Sequence, residues 1–215
     1  MKRLLDIAVS VVALMVLSPL LVVLAIVVAV TSPGGAFFRQ TRVGRNRRPF
    51  RLLKFRSMAV RAGSEAGSFD AGDASRVTAI GRILRKSKLD ELPQLWNVLV
   101  GDMSLVGPRP EVPGWTEVHR DRWDVVLSVR PGITDPASIE FRDEESILAA
   151  AADPEACYRD EILPRKLDLA ESYVRNRSLL GDLGILAATV AAVSGVRSPR
   201  TDTGCGAADA GECPE

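Results

Sequence analysis

Residues Ile7 to Val30 are apolar almost without interruption, broken only by Ser10 and by Ser18–Pro19 near the middle. A run of that length can cross a bilayer. Pro19 divides it into halves of about 12 residues, each covering roughly 18 Å against a hydrocarbon core of about 30 Å. Proline removes a backbone donor and kinks a helix, and Ser18 can satisfy a carbonyl freed in this way. Both flanks are cationic. Lys2 and Arg3 precede the run, and the charged residues from Arg39 to Arg61 are nine cations with no acid among them. The positive-inside bias then asks for both ends on the cytoplasmic face. A helix–break–helix over residues 1–35, re-entering that face, is the preferred reading, and a kinked span is the alternative. No small-x-small cleavage site follows, which argues against a signal peptide.

Beyond Val30 the period changes. Two β-like runs, around Phe37–Phe38 and over Phe50–Phe55, flank Gly44–Arg45–Asn46 and predict a basic hairpin within Ala36–Met58. Glu65–Ala74 reads as a loop. From Arg76 to Lys86, Val77, Ile80, Ile83 and Leu84 recur at helical spacing, with Arg82, Arg85 and Lys86 on other faces. Such a helix suits a membrane surface and a docked place on the core equally. Pro93 is tolerated in a first helical turn. That makes Asp90 the N-cap and Glu91 the first residue of a helix with Leu92, Leu95, Trp96 and Leu99 as its stripe and Gly101 as its stop. The fold class is therefore α+β: a re-entrant membrane helix, interfacial amphipathic helices, a small β-hairpin and a helical core. Residues 36–196 form the cytoplasmic domain, and 197–215 read as a disordered tail.

At 215 residues the chain can bury one good core. Its net charge of +1 hides the uneven distribution just described. An arginine block suits anionic lipid headgroups, phosphorylated substrates or nucleic acid. His119 is the only histidine, so no multi-histidine metal site can form, and it reads as structural. Cys157, Cys205 and Cys213 match no zinc spacing and read as reduced cytoplasmic thiols.

The chemistry concentrates at Asp90–Glu91. Simple capping of the following helix accounts for both carboxylates. A helix start also attracts phosphate, and with Arg85 nearby it keeps the carboxylates ionised. An ionised aspartate beside a neutralised diphosphate is a competent nucleophile. A neighbouring glutamate, about 100° away around a helix, suits a divalent metal that bridges phosphates. Two rigid turns, Gly107–Pro108–Arg109–Pro110–Glu111 and Arg130–Pro131–Gly132–Ile133–Thr134, each present one guanidinium, a group that fits phosphate oxygens.

These elements, in this order over roughly Lys2 to Thr189, resemble the small monotopic phosphoglycosyl transferases, the bacterial sugar transferase family. The resemblance is carried by the apolar stretch with Ser18–Pro19, by FFRQTRVGRNRRPFRLLKFRSM, by SRVTAIGRILRKSKLDELPQLWNVLVGDMSLVGPRP, by RPGIT and by YVRNRSLLGDLGIL from Tyr173 to Leu186. It implies transfer of a sugar-1-phosphate from a nucleoside diphosphate sugar, usually a UDP-sugar, to polyprenol phosphate with release of UMP. The implied route is a phosphosugar ester on an aspartate, here Asp90, with Glu91 binding Mg2+. Lys54, Arg56, Arg85, Arg109 and Arg130 are the implied phosphate-binding set. Ser18 and Pro19 mark the membrane break, on the cytoplasmic face of a bacterial plasma membrane. The implied products start glycan assembly, and the implied partners include membrane lipids. Oligomeric state is left open, a homodimer included.

Many relatives follow PGIT with Gly and a Leu/Trp-Ala-Gln-Val run, whereas this chain has Asp135–Pro136–Ala137–Ser138–Ile139. No relative's sugar preference is carried across that change. Two rival functions are a lipid-binding module without chemistry and a nucleic-acid binder. The intact Asp90–Glu91 motif opposes the first. The apolar N-terminus and the lack of a nucleic-acid motif oppose the second.

Overall fold

The computed structural model describes residues 1–60 and 74–194. Its first element, α1 (Lys2–Thr31), is one uninterrupted helix with Pro19 inside it. Helical backbone continues through Ser18–Pro19, where a break was expected. Proline deletes the hydrogen bond to the carbonyl four residues back, and Ser18 supplies a substitute: its hydroxyl donates to the Met15 carbonyl at 2.8 Å. Among the described residues α1 alone is long and apolar enough to cross a membrane, and only 6% of its most apolar 18-residue window is buried. It is thus no core helix of the domain.

Both ends of α1 are nonetheless fastened to the rest of the fold. At the start, the Lys2 ammonium donates to the Val106 carbonyl (2.9 Å), the Tyr173 hydroxyl (3.2 Å) and Asp182 Oδ2 (2.5 Å). Arg3 donates to the Val98 and Leu99 carbonyls, and buried Asp6 accepts from the Ser104 hydroxyl and the Leu105 amide. At the far end, Val28 is fully buried with Phe55 and Leu84.

The hairpin forms as expected. β1 (Phe37–Val43) and β2 (Pro49–Phe55) are antiparallel, with Phe37 opposite Phe55 and Val43 opposite Pro49. Asn46 and Arg47 in the turn are left-handed, at φ 55° and 60°. Arg47 is held there by Asp124 at 2.7 Å and Glu117 at 3.2 Å. Strand alternation puts Gln40, Phe50 and Leu52 on the buried side together with Lys54, and leaves Arg39 and Arg51 exposed on the other.

Helix α2 (Ala79–Lys86) starts three residues later than its periodicity suggested, because the Thr78 hydroxyl caps it by accepting from the Gly81 amide at 3.0 Å. Leu84 faces inward and Ile83 outward. Gly81 lies directly on the chain at Ser57; an added Cβ would sit 1.9 Å from the Ser57 carbonyl oxygen. Gly81→Ala is therefore expected to cost about 2 kcal/mol or more through overpacking, outweighing the ~1 kcal/mol gain in helix propensity. A thermal melt equal to or above that of the natural chain would show that the contact is not close.

The segment after α2 departs from expectation. Asp90 does not cap a helix. Lys88 is left-handed (φ 57°), Leu89–Glu91 make one 3₁₀ turn, and α3 (Gln94–Val100) begins only after Pro93. The amides of Glu91, Leu92, Leu95 and Trp96 each donate to the carbonyl three residues back. Those amides have main-chain partners, so the turn needs no carboxylate cap. Gly101 ends α3 at φ 102°, as expected. The apolar stripe is corrected too. Trp96 is 54% exposed, and the buried face is Gln94, Leu95, Asn97 and Val98. The reason is Asn97, which accepts from the Leu53 amide (3.0 Å) and donates to the Arg51 carbonyl (2.8 Å), docking α3 on β2 like an extra strand.

The second half is mostly helical. In order come β3 (Ser104–Val106), α4 (Pro113–Glu117), α5 (Arg120–Val126), β4 (Gly132–Thr134), α6 (Pro136–Glu140), α7 (Glu144–Ala150), α8 (Pro154–Cys157), α9 (Leu163–Asn176) and α10 (Leu179–Val193). β3 and β4 are parallel, Ser104 opposite Gly132 and Val106 opposite Thr134. The main core joins Trp115, Trp123, Phe141, Leu148, Tyr158, Ile162 and Leu167. Like α1, α10 is largely uncovered, with Leu180, Leu183 and Val190 more than half exposed. The mixed helix and small-sheet class stands. Cys157 is buried, and Cys205 and Cys213 lie outside the described residues. The expected loop Glu65–Ala74, apart from Ala74, and the tail from Arg197 lie outside the described residues.

Candidate active site

Three elements deliver the site. The inner face of β2 presents Lys54, the 3₁₀ turn presents Asp90 and Glu91, and the turn after β3 presents Arg109. Glu91 Oε1 accepts from Lys54 Nζ at 2.8 Å and from Arg109 Nη2 at 2.7 Å; Oε2 has only a 3.5 Å contact with Arg109. Burial pushes the Glu91 carboxyl up, but Arg109 and Lys54 outweigh it and hold it well below the usual carboxylate range. Glu91 is thus a fixed anion.

Asp90 is its opposite. It is 7% exposed, and among the described residues its Oδ1 is buried without a hydrogen-bond partner. Burial pushes its carboxyl above the ordinary aspartate range, against the pull of Lys54. Glu91 adds to the rise, while Lys88 and Arg85 oppose it. Burying a polar atom without a partner is costly. A capping role would have satisfied that oxygen. Burial disfavours its charged form, so the nearby cations do not hold this carboxyl in the ordinary aspartate range expected from the sequence.

Four cations, Lys54, Arg85, Lys88 and Arg109, act on these two carboxylates. The excess of positive charge suits a phosphate or diphosphate. Lys88 was not singled out in the sequence, although its place two residues before Asp90 was a usable signal. Arg85 also pairs with Glu145 of α7. Arg56 and Arg130, expected to bind phosphate, are not brought to this cluster by their hydrogen bonds. Arg56 donates to the Gly35 and Phe37 carbonyls, and Arg130 donates to the Gly101 carbonyl at the end of α3. His119, at a left-handed position before α5, is exposed.

For a divalent metal, the relevant atom is Glu91 Oε2, which carries only the 3.5 Å contact. Among the described residues no cluster of three or more metal-ligating side chains exists. Magnesium needs only one or two carboxylates when phosphates and water complete its shell. The residues present fit that mode, in which Glu91 would be the protein ligand.

Next to the cluster opens a cavity of about 490 Å³. Lys88, Arg109 and Arg142, with Glu91, Glu144 and Glu145, supply its charged lining. Ala13 and Leu17 of α1 and Leu186, Val190 and Val193 of α10 contribute to its apolar side. Residues 133–142, which include the departure from the family pattern, supply Ala137, Ser138 and Phe141 to the wall.

The bacterial sugar transferase family model matches residues 1–195. The chain belongs to that family. A UDP-glucose:undecaprenyl-phosphate glucose-1-phosphate transferase of Klebsiella pneumoniae is 38% identical over 193 residues, covering 88% of this chain and 39% of that protein. A protein of the same name in Caulobacter vibrioides is 37% identical over 194 residues, 88% of this chain and 68% of that one. An exopolysaccharide production protein of Sinorhizobium fredii is 33% identical over 207 residues, covering 89% and 84%. The chain spans 39% of the length of the Klebsiella pneumoniae protein and of one of the same name in Escherichia coli.

Proposed function

We propose that this sugar transferase moves a sugar-1-phosphate from a UDP-sugar to polyprenol phosphate, releasing UMP, through a covalent intermediate on Asp90. One observation carries the reading. A single cavity joins an apolar wall, to which the two uncovered helices contribute, to Lys88, Glu91 and Arg109, beside the turn whose Asp90 has a buried oxygen without a partner among the described residues. Such a shape suits an amphiphile with a phosphate head and a hydrocarbon tail. The names of the relatives agree with that pair of substrates.

In the first step an Asp90 carboxylate oxygen attacks the phosphorus bearing the sugar. The P–O bond to UMP breaks, and UMP leaves with that electron pair. In the second step an oxygen of polyprenol phosphate attacks the same phosphorus and displaces the Asp90 carboxylate. The product is a polyprenol diphosphate sugar. Lys54 and Arg109 hold Glu91 in place and add positive charge beside the transferring phosphate. Magnesium, when bound at Glu91, would neutralise phosphate charge. The test is direct: purified protein, undecaprenyl phosphate and a panel of UDP-sugars, with UMP measured. Lipid-dependent UMP release from one or a few sugars is expected, and no release from any would overturn the reading.

The same reading places α1 as a re-entrant element, with both its ends and the active site on the cytoplasmic face of the bacterial plasma membrane. Its two fastened ends support this, since a straight span would leave one of them across the bilayer from the domain. With the native cysteines replaced, a cysteine inserted after Met1 and another at Asn46 should both resist a membrane-impermeant reagent in intact cells. Labelling of the first site alone would establish a span.

A further inference from the structure

We propose that Asp135 is a positioning residue for Arg109, a tether that sets where the guanidinium meets Glu91; this rests on the reading of Arg109 as part of the transfer site. The two rigid turns are locked face to face. The Gly107 amide donates to the Thr134 carbonyl, and the Gly132 amide donates to the Pro108 carbonyl, both at 3.0 Å. A Cβ on Gly132 would lie 2.1 Å from the Gly107 nitrogen, so no side chain can separate them.

Arg109 stands between Pro108 and Pro110, neither of which has an N–H. Its own amide is therefore the only backbone donor in that tripeptide. Asp135 takes it: Oδ2 accepts from the Arg109 amide at 3.3 Å, while Oδ1 accepts from the Ser138 amide at 2.7 Å. Asp135 is 1% exposed, so water cannot replace the bond without rearrangement. One buried carboxylate thus fixes both the start of α6, a wall of the cavity, and the backbone of the arginine that grips Glu91 at 2.7 Å.

The experiment pairs Asp135→Asn and Asp135→Gly with Arg109→Lys, reading kcat, KM and amide hydrogen exchange at Arg109. Asparagine keeps one acceptor and sets an NH2 group against the second N–H; glycine removes both acceptors. Asp135→Gly should lower kcat by about 10-fold or more, and Asp135→Asn by less, through misplacement of the guanidinium. Both should speed exchange of the Arg109 amide. In the Arg109→Lys background the further loss from either change should shrink to about 2-fold or less, the signature of coupled residues. Equal losses in both backgrounds, or unchanged protection of the Arg109 amide, would overturn the proposal. Should Asp135→Gly fail to fold, Asp135→Asn decides. Should the natural chain turn over no UDP-sugar, the functional reading fails, and the amide exchange still decides the tether.

Discussion

Asp90→Asn is expected to lose about 10⁴-fold or more in kcat and yet to melt at a higher temperature than the natural chain near neutral pH. Asparagine is nearly isosteric but cannot form an acyl phosphate. No sugar-phosphate mass should appear on the peptide containing residue 90 after incubation with a UDP-sugar, whereas the natural chain should carry it. The gain in stability follows from burial, which raises the Asp90 carboxyl in the folded state against the pull of Lys54. The sign is as follows. A raised folded value means stability is full below the ordinary aspartate range and is lost as pH climbs through the folded value. Asparagine never pays that penalty. The melting advantage should therefore be present near neutral pH and shrink in acid, at about 2–4 °C for each kcal/mol in a chain of this size. Activity sites commonly carry such a cost. An active variant would remove Asp90 from the chemistry, and a less stable variant near neutral pH would mean its carboxylate holds the fold.

Glu91→Gln should do the reverse to stability. Glu91 is the shared partner of Lys54 and Arg109. A neutral amide leaves two partly buried cations facing each other, at a cost of about 2 kcal/mol or more. Turnover should fall by about 10²-fold or more as the guanidinium loses its seat and the metal its ligand. Magnesium titration separates the two effects. A variant that is folded but needs far more magnesium places the metal at Glu91. One with normal magnesium dependence and a depressed rate assigns Glu91 to holding the two cations alone.

Elements ruled by local rules were legible in the sequence. The alternation of the hairpin, the helical period before Lys86 and the glycine stop at Gly101 each depend on neighbours along the chain. What failed depended on partners far away. The periodicity made Trp96 a core residue, but Asn97 bonding to β2 rotates α3 so that Trp96 faces out. Pro93 allowed Asp90 to be a cap, but amides bonding three residues back leave that carboxylate without a capping role. Arg56 and Arg130 look no different in sequence from Arg109. Only the carbonyls of Gly35, Phe37 and Gly101 distinguish them. Asp135 stood out as a departure, yet its acceptor role depends on Arg109, 26 positions earlier.

Part of the apolar side of the cavity comes from α1 and α10, the same two helices that stand uncovered on the outside. On the proposed reading, the lipid acceptor would reach it along these helices without crossing water. For such a reaction the concentration that governs rate is the mole fraction of acceptor in the bilayer or micelle, not moles per litre. Adding inert detergent at constant protein and lipid should then dilute the acceptor in two dimensions and slow the proposed second half-reaction, while the proposed formation of the adduct on Asp90 should be untouched.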